Sequence, residues 1–299
     1  MSKYICGAVV DIGVERESQE DYVQYREFGD NLFCVVADGA GSQKGFPQPA
    51  VIAVSDILET LTEIYEENEE LFLHNPEFFI KRAMLSANRV LGGFKMGNEE
   101  RYYGYAASVT CCLFCQDGTF YMGHTGNTRL YILRNSMLTQ MTRDQTKAAE
   151  LLNDGKIDLE TYHVHPDRLV ITDGLGILLK PHIQTLHGKL KENDIVLMSS
   201  DGLHYAIQPD AMAAIILESK DCMEASKNLI DASKNIIKYP DNMSAMVIYR
   251  EKEEKRAGNG SFILPEIQHS IYRYIYAMRG GKEEIAVSNL IQEKNYGKK

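Results

Sequence analysis

Leu32-Phe33-Cys34-Val35-Val36-Ala37-Asp38-Gly39-Ala40-Gly41 is the stretch on which the fold turns. Its first six residues are all apolar and offer water no polar face, which predicts a central strand buried on both sides. The run ends on an acid followed by a glycine turn, which places Asp38 at a strand end.

Working outward, residues 4–12 and 22–28 also read as strands, with turns at Gly13 and at Gly29-Asp30-Asn31. Downstream, Ala50, Val54, Ile57, Leu58, Leu61 and Ile64 recur at helical spacing, and Pro47 and Pro49 are tolerated only in a first helical turn. A second helix is expected over about 76–91, stopping at Gly92-Gly93. Strands return at 107–115, 119–124, 129–133 and 137–141, joined by turns at Gln116-Asp117-Gly118 and Arg134-Asn135-Ser136. A helical piece at 147–153 leads into an irregular stretch to about residue 178. A strand at 194–200, helices at 209–218 and 222–238, and a last strand at 244–250 complete the order. Hairpin-linked strands with helices in separate blocks predict an α+β fold. Two antiparallel β-sheets pack as a sandwich, flanked by helices on both sides.

Residues 1–250 are expected to form that domain, 251–260 a charged and glycine-bearing linker, and 261–299 a helical C-terminal extension. In the extension, Ile267, Ile271, Tyr274, Ile275 and Met278 share one helical face. Docking on the chain's own body, a dimer contact and a partner site all remain open for it.

The chain of 299 residues carries 32 − 42 = −10 charges. From Glu251 onward there are nine basic and seven acidic residues, so the first 250 carry 23 − 35 = −12. Such a surface repels nucleic acid, and no nucleic-acid partner is expected. No apolar run reaches the length of a membrane span, and the N-terminus lacks a processing pattern, so a cytoplasmic protein is expected. Cys112 and Cys115 form a C-x-x-C inside an apolar run, with no second such pair, and read as buried strand cysteines rather than a zinc or redox site.

Four acidic sites share one context, an acid where a strand meets a turn: Glu20-Asp21, Asp38-Gly39, Asp201-Gly202 and Asp241-Asn242. Acids at strand ends project into a shared rim while the strand bodies hold them in place. Carboxylates converging without histidine or cysteine suit hard divalent cations such as Mg²⁺ and Mn²⁺. A glycine after the acid lets a carbonyl, such as that of Gly39, approach a cation closely.

With these motifs the chain resembles the metal-dependent Ser/Thr protein phosphatases of the PPM (2C-type) family, in its bacterial form. The carrying pieces are Arg16-x-x-Gln19-Glu20-Asp21, Val36-Ala37-Asp38-Gly39-Ala40-Gly41, Ala107-Ser108-Val109-Thr110, Gly126-Asn127-Thr128-Arg129, Ser199-Ser200-Asp201-Gly202 and Asp241-Asn242-Met243-Ser244. The resemblance implies hydrolysis of phosphoserine and phosphothreonine in proteins by a water activated between two cations, Mn²⁺ or Mg²⁺. It implies that Asp38 bridges the two ions. Glu20 and the Gly39 carbonyl complete one site, and Asp201 and Asp241 the other. Asp21 orients water behind them, and Arg16 reaches the phosphate as a guanidinium fork. Read without the family, Arg16 is a surface ion pair with Glu15 or Glu17. Phosphoprotein substrates imply a cognate Ser/Thr kinase. An acidic domain does not steer anionic peptides, so Arg16, with Arg129 or Arg168, is expected to supply local attraction. His163 and His165 lie in the flap region of the family and are expected to pack or touch substrate.

Two departures stand out. Asn127 replaces an acid of the family's third metal site, and Tyr205 stands where its second acid is usual. Both remove negative charge, so a third ion is expected to be weak or absent. They also motivate the alternative reading, a pseudophosphatase or weakly active module that binds phosphoproteins. A two-metal phosphoesterase acting on nucleotides or metabolites is a third reading. The carboxylate-only set speaks against it.

Overall fold

The structure is a computed structural model and describes residues 3–42, 47–96, 104–236 and 241–251. The expected linker and extension, 252–299, lie outside the described residues. The strands are β1 (Lys3–Asp11), β2 (Asp21–Phe28), β3 (Asn31–Ala40), β4 (Ala106–Phe114), β5 (Thr119–Thr125), β6 (Arg129–Arg134), β7 (Met137–Gln140), β8 (Gln184–Lys189), β9 (Ile195–Ser199) and β10 (Met243–Glu251). The helices are α1 (Pro49–Glu67), α2 (Glu69–His74), α3 (Pro76–Lys95), α4 (Lys147–Asn153), α5 (Leu159–Val164), α6 (Asp201–His204), α7 (Pro209–Glu218) and α8 (Cys222–Lys234), with a 3-10 turn at Pro166–Leu169.

Two antiparallel five-stranded sheets run β1-β10-β9-β6-β7 and β2-β3-β4-β5-β8. The period of two along each strand builds the layers. In β3, Phe33, Val35 and Ala37 face one way into a core shared with α1 and α3, while Leu32, Cys34 and Val36 face the other sheet. In β10, Met246 and Ile248 point between the sheets, while Ala245 and Val247 meet α7 and α8. The apolar run 32–37 is thus buried on both sides, as expected.

Turn chemistry sets the hairpins. Asn135 and Ser136 adopt φ +51 and +63 between Arg134 and Met137, the two-residue turn whose twist matches its strands. Helix α1 begins at Pro49, whose missing N–H is harmless in a first turn. Helix α3 passes through Gly92-Gly93 and ends at Lys95, four residues beyond the expected stop. Ring contact between Phe94 and Tyr105, centroids 5.8 Å apart, holds that last turn against the body. All six cysteines are free, and Cys111 and Cys112 are fully buried in β4. Among the described residues no helix is long and apolar enough to cross a membrane.

Candidate active site

Antiparallel register brings four strand ends to one mouth. Asp21, the first residue of β2, stands opposite Asp38 of β3. Asp201 opens α6 two residues after β9 ends. Asp241 precedes β10, whose Ser244 stands opposite Val10 near the end of β1. The apolar bodies of β3, β9 and β10 cannot slip by one residue without turning their core faces to water, so the acids are fixed in place.

Glu20 is held along its backbone and side chain. Its N–H donates to Asn242 Oδ1 at 2.7 Å, its carbonyl accepts from the Gly39 N–H at 3.1 Å, and Oε1 accepts from the Ser42 N–H at 3.2 Å. Asn242 also donates to the carbonyls of Ile12 and Ser18 at 2.8 and 3.0 Å, clipping the 12–20 loop to the turn that carries Asp241. A Cβ on Gly39 would stand 2.9 Å from the Glu20 carbonyl, so glycine is needed where these segments cross.

The carboxylates crowd one another. Burial together with the charges of Asp201, Asp21 and Asp241 pushes the Asp38 carboxyl well above the ordinary range. Burial raises Asp201 to about 6, the Asp241 charge adding and the Asn127 amide opposing. Asp21 is raised to about 7, burial outweighing hydrogen bonds of 2.6 Å each from Ser200 and Ser244 to Oδ2. Its Oδ1 is buried without a hydrogen-bond partner. Arg16 forks onto Asp241, Nε and Nη2 each 2.9 Å from a carboxylate oxygen. The expected surface pair with Glu15 or Glu17 therefore gives way to a contact 225 residues away in sequence.

The mouth thus gathers Arg16, Glu20, Asp21, Asp38, Gly39, Asp201 and Asp241. Its donors are oxygen and anionic, the chemistry of a hard divalent cation, and a cation would relieve the repulsion that raises these pKa values. Among the described residues no three of His, Cys, Asp and Glu form a ready coordination cage. Arg16 holds Asp241, and Asn127 holds Asp201.

Several partners escaped the reading of the sequence. Ser200 and Ser244 support Asp21, and the Ser244 N–H donates to Ser200 Oγ at 2.8 Å. A serine buried inside an otherwise apolar strand was the available signal for Ser244. Asn127 is fully buried and donates from Nδ2 to Asp201 Oδ2 at 2.9 Å.

Arg129 and Arg168 do not face the mouth. Arg129 pairs with buried Asp144 at 2.6 Å. Burial alone would raise Asp144, but the guanidinium holds it well below the usual carboxylate range. The Arg168 guanidinium lies 4.6 Å from the Tyr205 ring centroid, and the Tyr205 hydroxyl donates to the Arg168 carbonyl at 2.9 Å. Expected as attractors for substrate, both arginines are instead turned inward, because buried Asp144 and an aromatic face compensate them better than solvent-side contacts. His163 is exposed, and His165 Nδ1 accepts from the Asp167 N–H at 3.2 Å.

The protein phosphatase 2C family model matches residues 14–236, most of the chain. Protein phosphatase PhpP of Streptococcus pneumoniae is 26% identical over 215 residues, covering 70% of this chain and 82% of that protein. Serine/threonine phosphatase stp of Listeria monocytogenes is 24% identical over 247 residues, covering 82% and 95%. Among solved structures, the catalytic domain of serine threonine protein phosphatase PstP, in complex with two manganese ions, superposes with a TM-score of 0.69 at 21% identity, covering 84% of this chain and all of that one. At that identity the likeness shows the fold, the same sandwich of two sheets between helix layers. With the family match covering all of the β2-β3-β4-β5-β8 sheet, three strands of the other and every strand end of the acidic mouth but the last, this chain belongs to the protein phosphatase 2C family of serine/threonine protein phosphatases.

Proposed function

We propose that this protein hydrolyses phosphoserine and phosphothreonine monoesters in proteins, using two divalent cations, Mn²⁺ or Mg²⁺. Glu20, Asp38, the Gly39 carbonyl, Asp201 and Asp241 are the groups that would hold them, with Asp38 shared. The observation that carries this reading is the convergence of Glu20, Asp21, Asp38, Asp201 and Asp241 on one mouth, Asp21 opposite Asp38 across the β2–β3 ladder and the Glu20 carbonyl bonded to the Gly39 N–H, where the charges of Asp201, Asp21 and Asp241 raise the Asp38 carboxyl. Phosphate-monoester hydrolysis is among the slowest reactions in water, and a bound cation pair supplies Lewis acidity and a nucleophile at neutral pH. This chain's residues supply the rest. The strand ends fix the carboxylates, Ser200 and Ser244 lock Asp21 so that its free Oδ1 can accept from a water, and half-exposed Arg16, whose fork here engages Asp241, would turn from that carboxylate to phosphate oxygens.

The test is hydrolysis of p-nitrophenyl phosphate and phosphopeptides with Mn²⁺; no rate above an Asp38→Ala control removes the proposal. A second reading, a weakly active phosphoprotein-binding module, draws on Asn127, whose neutral amide engages Asp201 where an acid is usual. With Tyr205 engaged with Arg168, a third ion is expected to be weak or absent. Titration calorimetry with Mn²⁺ checks this, and a third tight site abolished by Asn127→Ala would refute it. The substrates call for a Ser/Thr kinase that installs the phosphate. We place the protein in the cytoplasm, a reading that its six free thiols support.

A further inference from the structure

Between the sandwich and the segment from α4 to the 3-10 turn lies a cleft of about 270 Å³, which holds none of the carboxylates of the acidic mouth. Ala149 and Leu152 of α4, Leu159 of α5 and Pro209 of α7 give it an apolar wall. Three arginines, Arg129, Arg143 and Arg168, line it with a single acid, Asp144. Asp144 is paired with Arg129, whereas Arg143 is exposed and makes no ion pair among the described residues. The neighbouring acids are engaged elsewhere. Asp154 and Asp167 pair with Lys156 and Lys147, Asp158 Oδ1 accepts from the Thr161 N–H at 2.8 Å, and neither they nor Glu160 line the cleft.

His204, the last residue of α6, also lines the cleft and is only 5% exposed. Its Nδ1 is turned to Ser199 Oγ, 3.0 Å away, and its Nε2 is buried without a hydrogen-bond partner. Burial, reinforced by the charges of Arg129 and Arg168, pushes its pKa well below 6.5, so the ring is neutral and one nitrogen carries the proton. With Ser199 Oγ donating to Nδ1, the Nε2–H is a buried donor that lacks an acceptor.

We propose that this cleft binds a small organic monocarboxylate, its carboxylate accepting from the His204 Nε2–H and its apolar body lying against Leu152, Leu159 and Pro209. Arg143 and Arg168 supply the attracting charge. A cavity of about 150 Å³ already takes a benzene ring, so this one has room for such a ring and a carboxylate. Asp144 and the apolar wall disfavour a dianion such as phosphate. The site stands apart from the reaction proposed above, so either can fail alone.

Titration of benzoate into the full chain with Mg²⁺ present, followed by methyl NMR, tests this. Saturable shifts at Leu152 and Leu159 are expected, with a dissociation constant on the order of 1 mM or below. Benzyl alcohol, the same ring without the charge, should bind at least about tenfold more weakly. Arg143→Gln and Leu159→Glu, both at exposed positions, should each weaken benzoate by about fivefold or more without disturbing the strands. Long-range proton–nitrogen correlation should find the His204 proton on Nε2. The proposal is overturned by benzoate shifts confined to the acidic mouth, by a titration that does not saturate, or by benzyl alcohol or inorganic phosphate binding the cleft as tightly. Unaltered affinity in either variant, or a His204 proton on Nδ1, overturns it as well.

Discussion

At the scale of single residues, backbone contacts at the mouth leave almost no room. A Cβ on Gly202 would stand 2.1 Å from the Asn242 carbonyl oxygen, a backbone atom that cannot swing aside. Gly202→Ala should therefore push the 241–242 turn outward. We expect a loss of about 2–4 kcal/mol in urea denaturation and a Mn²⁺ affinity lower by about tenfold or more. Wild-type affinity in that variant would show that the turn does not position Asp241. His124 offers a pH test away from the acids. It is fully buried, with Nδ1 2.9 Å from Thr110 Oγ1 and Nε2 3.1 Å from the Arg143 carbonyl. Burial lowers its pKa from 6.5 to about 4. The unfolded chain takes up a proton that the fold refuses, so the neutral imidazole's contribution is intact above pH 6.5 and lost as pH falls toward 4. That loss amounts to about 3 kcal/mol across the window. Urea midpoints over this range should fall, and His124→Gln should flatten the fall; an unchanged slope excludes His124 as its source.

At the scale of elements, the segment from α4 through the 3-10 turn forms a flap stitched to the body from below. Tyr162 donates to Asp144 at 2.8 Å, and Tyr205 carries Arg168 on its ring. Tyr205→Leu removes the hydroxyl bond and the cation–π contact, together worth about 1–2 kcal/mol. We expect faster amide exchange over 159–170 with the central strands unchanged. Equal exchange in both proteins would mean the flap is held elsewhere. The elements that escaped the sequence share a physical cause. Helices α2 and α6 have six and four residues, too few for a helical period to repeat. Strand β8, Gln184–Lys189, sits at a sheet edge with no residue classed as buried, so it shows no apolar alternation. Helix α3 outran its glycine stop because each glycine costs only about 1 kcal/mol and tertiary contact beyond it offsets that.

For the whole molecule, three cores stack between two helix layers and two sheets, and the acidic mouth is where the strand ends of both sheets converge. Cations bound there stabilise only the folded state, so Mn²⁺ should raise the melting temperature, by the equivalent of about 4 kcal/mol at a thousandfold excess over its Kd. A chelator should reverse the shift and Asp38→Asn should abolish it; an equal shift in that variant would place the ions elsewhere. Most of the fold was legible because strands such as 32–37 and helices such as α1 write their burial into a local period of two or 3.6. The acids at strand ends and the glycines beside them were legible for the same reason, since each depends on a few neighbours in sequence. Which residues meet was decided only by tertiary structure. Asp21 faces Asp38, Arg16 chooses Asp241 over Glu15 and Glu17, and Tyr205 serves the flap, through register and packing between segments far apart in the chain. No local pattern encodes such pairings, because their energies arise only once both sheets have closed.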